Sequence, residues 1–311
     1  MTKRKGCKRQ YSAKIPDSPS AFPVTEITGT EPGPVFLITA GIHGGEYPGI
    51  AASLELAALL RPENISGKVI IIHAVNQDSL WERRTEDNAR QEDNLNRSFP
   101  GNPEGTPMEK LAYFLMENFI RRADFYADCH SGDIHEDLCA HTYYPKACRE
   151  EVSRLSREMA FCTDVPYIVP SHALNGAYNS AAAAGIPSVL IEHGGNGLCL
   201  DRDIHAFRND LLRLLRRTGL LQGNCLLPEP MRETPREVRR VIYPEADRDC
   251  FWRIACRPGD FVRKGDSIGY TTDFFGSSKT VLTAEEDGVI LCLNSSLALP
   301  KHNFPVFYAV L

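Results

Sequence analysis

The chain has 311 residues, of which 42% are hydrophobic and 24% are charged, and its formal net charge is -5. A chain of this length usually forms two domains, and this composition is typical of a folded globular protein. The negative net charge argues against a nucleic-acid-binding surface, and no stretch approaches the roughly 18 unbroken apolar residues that span a membrane. We therefore expect neither nucleic acid nor a membrane as a partner.

The N-terminal segment is basic and has no apolar stretch after it, so it does not resemble a signal peptide. We interpret this run as a solvated terminus and expect a cytoplasmic protein; its basic residues are Lys3, Arg4, Lys5, Lys8 and Arg9. The 10 cysteines form no CxxC pair, and we expect reduced thiols.

The first predicted strand covers residues 35–40, a short apolar run between Pro34 and Gly41. It leads directly into the glycine-rich turn 41–46, which carries His43 and Glu46. The sequence then predicts a helix over residues 50–60.

A second predicted strand covers residues 69–75, and its continuous apolar character is typical of a strand buried on both faces. The polar segment 77–105 follows and is expected to be a long loop, which in a compact domain usually has a function. It carries Arg83, Arg84 and the tetrapeptide 94–97.

Thr106, Pro107 and Glu109 predict a capped helix start. Two later predicted strands end in polar residues: residues 124–129 precede His130, and residues 187–191 precede Glu192. Further helices are predicted over residues 146–161 and over residues 203–218. Between them, another helix is predicted to end at Gly185.

Strands therefore alternate with helices up to about residue 220, which predicts an α/β fold with a sheet between helices. In such sheets, ligands bind outside the carboxyl ends of the strands. Three of the four predicted strands end there in a polar residue flanked by glycine, so His43, Glu46, His130 and Glu192 are expected to converge.

The sequence pattern changes after a linker that begins at Pro228 and is rich in proline and charged residues. Six short strands separated by turns predict a small all-β barrel or sandwich. We therefore predict two domains, residues 1–228 and residues 229–311.

His43 and Glu46 have the spacing HxxE, and His130 can complete a set of two imidazoles and one carboxylate. Catalytic zinc sites commonly use such a set and keep one position for water. On spacing alone, the alternative is that both histidines are ordinary hydrogen-bonded loop residues.

Four segments, in this order, resemble motifs of the succinylglutamate desuccinylase/aspartoacylase family, which is related to the zinc carboxypeptidases: residues 41–46, 94–101, 128–132 and 191–195. The resemblance runs from about residue 33 to residue 220. It implies a mixed sheet between helices and one zinc ion held by His43, Glu46 and His130.

The resemblance also implies roles for other residues. Glu192 would be the general base for the zinc-bound water. A carboxylate near such a water can take its proton and pass it to the leaving amine. Without the resemblance, the alternative is that Glu192 is a buried ion-pair partner. Asn96 and Arg97 match the substrate clamp, because a guanidinium holds a carboxylate by two parallel hydrogen bonds. Arg84 is our candidate for stabilising the oxyanion, with Arg83 as the alternative.

The sequence departs from the family pattern at Asn94, where the family usually has Asp. In relatives this Asp accepts a hydrogen bond from the first zinc histidine, and the Asn94 carbonyl can accept it without charge. Residues 257–266 resemble a biotinyl/lipoyl-type barrel motif, but the later hairpin 285–288 has no lysine, so we interpret the tail as a scaffold or rim.

The function that we favour is a zinc-dependent deacylase of N-acyl amino acids, with a small carboxylate as its substrate. The alternatives are a metallocarboxypeptidase, whose clamp would hold a peptide C-terminus, and a binding protein that kept the fold without activity. The oligomeric state is left open, a homo-oligomer included.

Overall fold

The structure is a computed structural model, and it describes residues 5–15, 21–83 and 94–311. Its first ten strands are β1 (Cys7–Lys14), β2 (Ala21–Thr28), β3 (Glu31–Ala40), β4 (Ser66–Ile72), β5 (Phe125–His130), β6 (Glu136–Leu138), β7 (His141–Pro145), β8 (Tyr167–Ser171), β9 (Ser188–Glu192) and β10 (Arg236–Glu237). The remaining strands are β11 (Arg240–Ile242), β12 (Cys250–Ile254), β13 (Phe261–Val262), β14 (Ser267–Thr272), β15 (Thr280–Thr283), β16 (Gly288–Asn294), β17 (Ala298–Leu299) and β18 (Val306–Val310).

The helices of the described residues are α1 (Tyr47–Leu59), α2 (Gln77–Glu82), α3 (Leu95–Ser98), α4 (Pro107–Asn118), α5 (Glu150–Ala160), α6 (Ala177–Ala183) and α7 (Asp201–Arg217). Two single 3₁₀ turns cover Pro62–Asn64 and Ile120–Arg122. None of these helices is long and apolar enough to cross a membrane.

A nine-stranded mixed sheet organises the larger part of the chain, in the order β1-β2-β4-β3-β5-β9-β7-β8-β10. Its centre is parallel from β4 through β3 and β5 to β9. The next strand, β7, runs antiparallel to β9. The carboxyl ends of β3, β5 and β9 therefore lie side by side and meet the start of β7.

Successive residues of the central strands pack into two different cores, because neighbouring side chains of a strand point to opposite faces. On β3, Phe36 and Ile38 join a core with α1, α5 and α7. Leu37, between them, joins a second core with α4 and α6. The sheet is thus covered by helices on both faces, and the α/β architecture predicted from the sequence is confirmed.

The start of α4 follows the prediction in detail. The Thr106 side chain accepts from the Glu109 N–H, and the Glu109 carboxylate accepts from the Thr106 N–H, which completes a capping box. This arrangement satisfies two backbone donors that have no partner within the helix.

The C-terminal part forms two antiparallel sheets, in the orders β11-β18-β16-β13 and β15-β14-β12-β17. Two short strands connect this part to the rest of the molecule. β6, from the middle of the chain, pairs with β16, and β10 pairs with β8 of the large sheet. The predicted all-β character of the tail is therefore confirmed, and two strand pairings join the tail to the larger part.

One local prediction was wrong, because the segment 77–105 is not an uninterrupted loop: α2 and α3 lie within it. The described basic residues of the start, Lys5, Lys8 and Arg9, are exposed as expected. The sequence did not predict that Lys8 and Arg9 belong to β1, where Arg9 pairs with Glu26 on β2 at 3.1 Å. Strand pairing at a sheet edge depends on a distant partner, so the local composition gave no sign of it.

Candidate metal centre and active site

The turn after β3 brings His43 and Glu46 to the carboxyl end of the sheet. Two glycines make this turn possible, because a Cβ atom on Gly44 would overlap the backbone of Ser79, and one on Gly45 would overlap the Asp133 carboxylate. Pro48 then lies in the first turn of α1, where its missing N–H costs nothing. The motif thus fixes both side chains between a strand and a helix.

The three predicted metal ligands come together. The Nδ1 atom of His43 lies 2.7 Å from Glu46 Oε1, and the Nδ1 atom of His130 lies 2.9 Å from Glu46 Oε2. One donor atom from each side chain lies within 4.8 Å of the others. Glu46 and His130 are buried, with 4% and 2% of their surface exposed.

The charges of this trio stabilise one another. Burial raises the pKa of Glu46, but the positive charges of His130 and His43 outweigh it and lower that pKa to about 2. Burial lowers the pKa of His130, but the negative charges of Glu46 and Asp128 outweigh it and hold that pKa well above its usual range. Without a metal, protons supply the positive charge that the buried carboxylate requires.

In both imidazoles the outer nitrogen, Nε2, points away from Glu46 and lies near an oxygen that can accept a hydrogen bond. His43 Nε2 lies 3.2 Å from the Asn94 Oδ1 atom, and His130 Nε2 lies 3.1 Å from Asp128 Oδ2. A partner of this kind fixes which ring nitrogen carries a proton and leaves the other for a metal. The contact with Asn94 is a hydrogen bond, and the contact with Asp128 is an ion pair. At His43 the partner is uncharged, because Asn94 stands where the resemblance leads us to expect Asp.

These residues fit a zinc ion. Two imidazole nitrogens and a carboxylate oxygen are ligands that zinc prefers, and ligands of a tetrahedral ion at about 2.1 Å lie roughly 3.4 Å apart. One donor atom each of His43, Glu46 and His130 lies within 4.8 Å of the others, so small shifts would reach that spacing. A divalent ion bound by these side chains would keep the Glu46 carboxylate neutralised.

Glu192 lies beside this centre, at the end of β9. It is the register partner of His130 on β5, so both side chains leave the sheet at the same level. Burial and the negative charge of Glu46 raise the pKa of Glu192 well above its usual range, and the charge of His130 opposes that rise. Within the described part of the chain, the buried Oε2 atom of Glu192 has no hydrogen-bond partner.

A cavity of about 680 Å³ opens in front of these residues. It is lined by the candidate metal ligands and Glu192, and also by five residues of the tail: Arg240, Tyr243, Glu245, His302 and Phe304. This volume lies within the range of small-molecule sites. The β-rich tail therefore shapes the cavity directly.

Asn96 and Arg97 lie on α3 and line the same cavity. The Asn96 Oδ1 atom accepts from the Ala177 N–H at 3.0 Å, so its side chain also holds the start of α6 and keeps its amide protons for other partners. Arg97 is exposed, and its one hydrogen bond to a described residue is a long one, 3.4 Å to the Asn96 carbonyl. Its guanidinium can therefore bind an anion in the cavity.

Of the two arginines that could stabilise the oxyanion, the structure describes one, Arg83. Arg83 ends α2 in a left-handed conformation, is exposed, and is not part of the cavity lining. Arg84 lies outside the described residues.

Sequence reasoning missed several side chains of the cavity. His141 and Tyr143, on β7, line it, and the Tyr143 hydroxyl lies 3.2 Å from that of Tyr243 on the tail. Burial raises the pKa of both phenols. The run of β-branched and aromatic residues in β7 is the signal that could have identified the strand, but nothing local indicates that it lies beside β9.

The larger part of the chain matches one known protein family. The model of the succinylglutamate desuccinylase/aspartoacylase catalytic domain matches residues 32–218. The chain belongs to this family. The family assignment made from four short motifs is thereby confirmed.

Relatives extend over nearly the whole chain. It is 29% identical over 275 residues to the N-alpha-acetyl-L-2,4-diaminobutyric acid deacetylase of Halomonas elongata, a match that covers 86% of this chain and 80% of that protein. A succinylglutamate desuccinylase/aspartoacylase structure from Rhodobacter sphaeroides has a TM-score of 0.85 at 24% identity, covering 98% of this chain and 95% of that one. The product-bound ectoine utilization protein EutE (DoeB) from Ruegeria pomeroyi has a TM-score of 0.83 at 24% identity, covering 99% and 96%. Both structures have the fold described above.

Replacing Asn94 with Asp should tighten zinc binding. The variant would place a carboxylate beside His43 Nε2, and losing such a partner typically weakens metal affinity 10–100-fold, so we expect a gain of about 10-fold. Competition with a chelator at fixed pH measures the change. Asn102→Asp, which adds the same charge at an exposed position, serves as the control. Equal affinities of Asn94→Asp and wild type would contradict the orienting role of Asn94.

Proposed function

We propose that the chain is a zinc-dependent hydrolase that cleaves the amide bond of an N-acyl amino acid. One observation carries the proposal. The metal-binding trio of His43, Glu46 and His130, the partnerless carboxylate oxygen of Glu192 and the guanidinium of Arg97 belong to one cavity. They are the groups that hydrolysis of an amide next to a carboxylate requires.

In this proposal Glu192 moves the proton. Zinc, when bound, lowers the pKa of a water molecule to about 7 and polarises a carbonyl. The Glu192 carboxylate takes a proton from the attacking water and passes it to the leaving nitrogen as the C–N bond breaks. Its burial suits this role, because burial holds the pKa of Glu192 above that of an ordinary carboxyl.

Arg97 binds the substrate carboxylate, and Asn96 adds neutral donors beside it. Burial raises the pKa of Tyr178 and of Tyr243, and the positive charge of Arg97 opposes the rise at both phenols. Arg97 therefore faces a part of the cavity that has two hydroxyl groups. Among the described residues, no carboxylate accepts a hydrogen bond from Arg97. That setting suits a carboxylate ligand.

The cavity favours a small substrate over a polypeptide. Residues of the tail line the cavity together with the candidate metal ligands, and about 680 Å³ accommodates an acylated amino acid. The Halomonas elongata relative is an N-alpha-acetyl-L-2,4-diaminobutyric acid deacetylase, so N-acetyl amino acids with a second amino group are the first substrates to test.

Three predictions from the sequence accompany this proposal. Arg84 is proposed to stabilise the oxyanion. The division into residues 1–228 and 229–311 is proposed as the domain organisation, with the cavity between the two parts. The cytoplasmic location stays a prediction.

Incubation with two substrate classes tests the function. The zinc-loaded protein should release acetate from N-acetyl amino acids, N-acetyl-2,4-diaminobutyrate among them, and leave short peptides intact. Amine release measures the first reaction, and mass spectrometry of peptides measures the second. Removal of C-terminal residues with acyl amino acids untouched would favour a carboxypeptidase. A protein that binds no zinc and stays inert when zinc is added would favour a binding protein without activity.

Glu192→Gln should retain zinc and lose turnover. The amide keeps the size of the side chain but cannot accept the proton, and general acid–base catalysis typically contributes about 10²–10⁴-fold. Metal analysis and kcat on the best N-acyl substrate are measured together. Glu117→Gln, at a partly exposed position on α4, is the control and should behave as wild type. Normal kcat in Glu192→Gln would show that another group is the base.

Arg97→Ala should raise KM for N-acyl amino acids about 10- to 100-fold, because it removes charge-assisted hydrogen bonds. The methyl ester of the same substrate has no carboxylate, so its KM should be the same for variant and wild type. Arg97→Lys should lie between them, since it keeps the charge without the planar fork. Arg121→Ala, at an exposed position away from the cavity, is the control. An equal effect on acid and ester would rule out the clamp.

A further inference from the structure

His141 is the third polar residue in a row that crosses three neighbouring strands. Glu192 on β9 is in register with His130 on β5 and, on its other side, with His141 on β7. Register partners present their side chains to the same face, with Cβ atoms about 4.5–5.5 Å apart in an antiparallel pair. Glu192 therefore stands between a metal ligand and a second imidazole, and all three line the cavity.

The proton of the His141 ring is assigned by its neighbours. Nδ1 lies 2.8 Å from the Cys139 carbonyl oxygen, which can only accept, so Nδ1 donates and carries the proton. The side chain is 1% exposed, and burial lowers the pKa of His141 to about 4, so the ring is neutral near pH 7. Nε2 is consequently a bare acceptor.

This acceptor has no hydrogen-bond partner among the described residues. The nearest aromatic neighbours meet the ring edge-on: its centroid lies 4.9 Å from that of Tyr143 and 6.3 Å from that of Phe307. Leaving a buried acceptor unpaired typically costs about 1–3 kcal/mol. An apolar residue would avoid this cost, so the acceptor needs a partner from outside the described protein groups.

The buried Oε2 atom of Glu192 is in the same situation. In its ionised form the Glu192 carboxylate only accepts, as does the bare imidazole nitrogen of His141, so the two cannot bond to each other. One water molecule can donate to both. Two polar atoms on the same face of adjacent strands, more than a direct hydrogen bond apart, are a common setting for such a water.

We propose that His141 is a positioning residue for Glu192 and acts through one buried water that donates to His141 Nε2 and Glu192 Oε2. This water holds one carboxylate oxygen, so that Oε1 faces the attacking water and the leaving nitrogen. The role in turnover rests on the proposed function, whereas the bridging water itself does not. His141 contacts no reacting atom in this arrangement.

Kinetics of two His141 variants test the role. His141→Phe keeps a ring without the acceptor, and a misplaced catalytic group can cost up to about 10²-fold, so we expect kcat to fall about 10-fold or more while KM and zinc content stay near wild type. His141→Gln can place its amide oxygen near the former Nε2 position and should recover most of the loss. A kcat of His141→Phe near wild type, or no recovery in His141→Gln with both proteins folded, would overturn the proposal.

His73→Phe is the matched control. His73 is also buried, but both of its ring nitrogens have partners, Thr25 and Ser53 at 2.8 Å each, and it lies outside the cavity lining. This variant should lower Tm and leave kcat within about twofold of wild type, which separates damage to the core from positioning of Glu192.

A crystal structure of the zinc-loaded wild-type protein provides a readout that does not need a substrate. It should contain one ordered water within hydrogen-bond distance of both His141 Nε2 and Glu192 Oε2. The proposal would be overturned if a protein group donated to His141 Nε2, or if His141 Nε2 and Glu192 Oε2 shared no water. If the water is present but no N-acyl amino acid is hydrolysed, the proposed function fails and the bridge stands.

Discussion

The buried carboxylate of Glu46 is the constraint on which the site depends. A charge with 4% of its surface exposed needs partners, and the two imidazoles of His43 and His130 supply them at 2.7 and 2.9 Å. This need brings the turn after β3 and the end of β5 together even without a metal. The same three donors are then prepared for a divalent ion, and Asn94 and Asp128 hold the outer nitrogens of the rings.

The order of the strands determines what lies around this centre. Parallel strands β3, β5 and β9 end at one edge of the sheet, which places the metal-binding trio next to Glu192. The direction then reverses, since β7 runs antiparallel to β9, and the start of β7 brings His141 to the other side of Glu192. A single change of strand direction therefore surrounds the proposed base with polar groups from three strands.

The tail completes the cavity. β6 pairs with β16 and β10 pairs with β8, so the small sheets are attached by backbone hydrogen bonds close to the site. Tyr243 and Phe304 then line the same cavity as His43, Glu46 and His130. Because a wall restricts what can enter, the tail is the part of the chain best placed to select among acylated substrates.

The sequence by itself determined the features that depend on neighbouring residues. The apolar runs predicted the central strands, Thr106 and Glu109 predicted a helix start, and polar residues after strands predicted the metal-binding trio and Glu192. Only the tertiary structure decided which strands are neighbours. The β1–β2 hairpin, the position of His141 beside Glu192 and the wall made by the tail all depend on contacts between segments far apart in the chain. Such contacts are selected by the packing of the whole core and not by any local pattern.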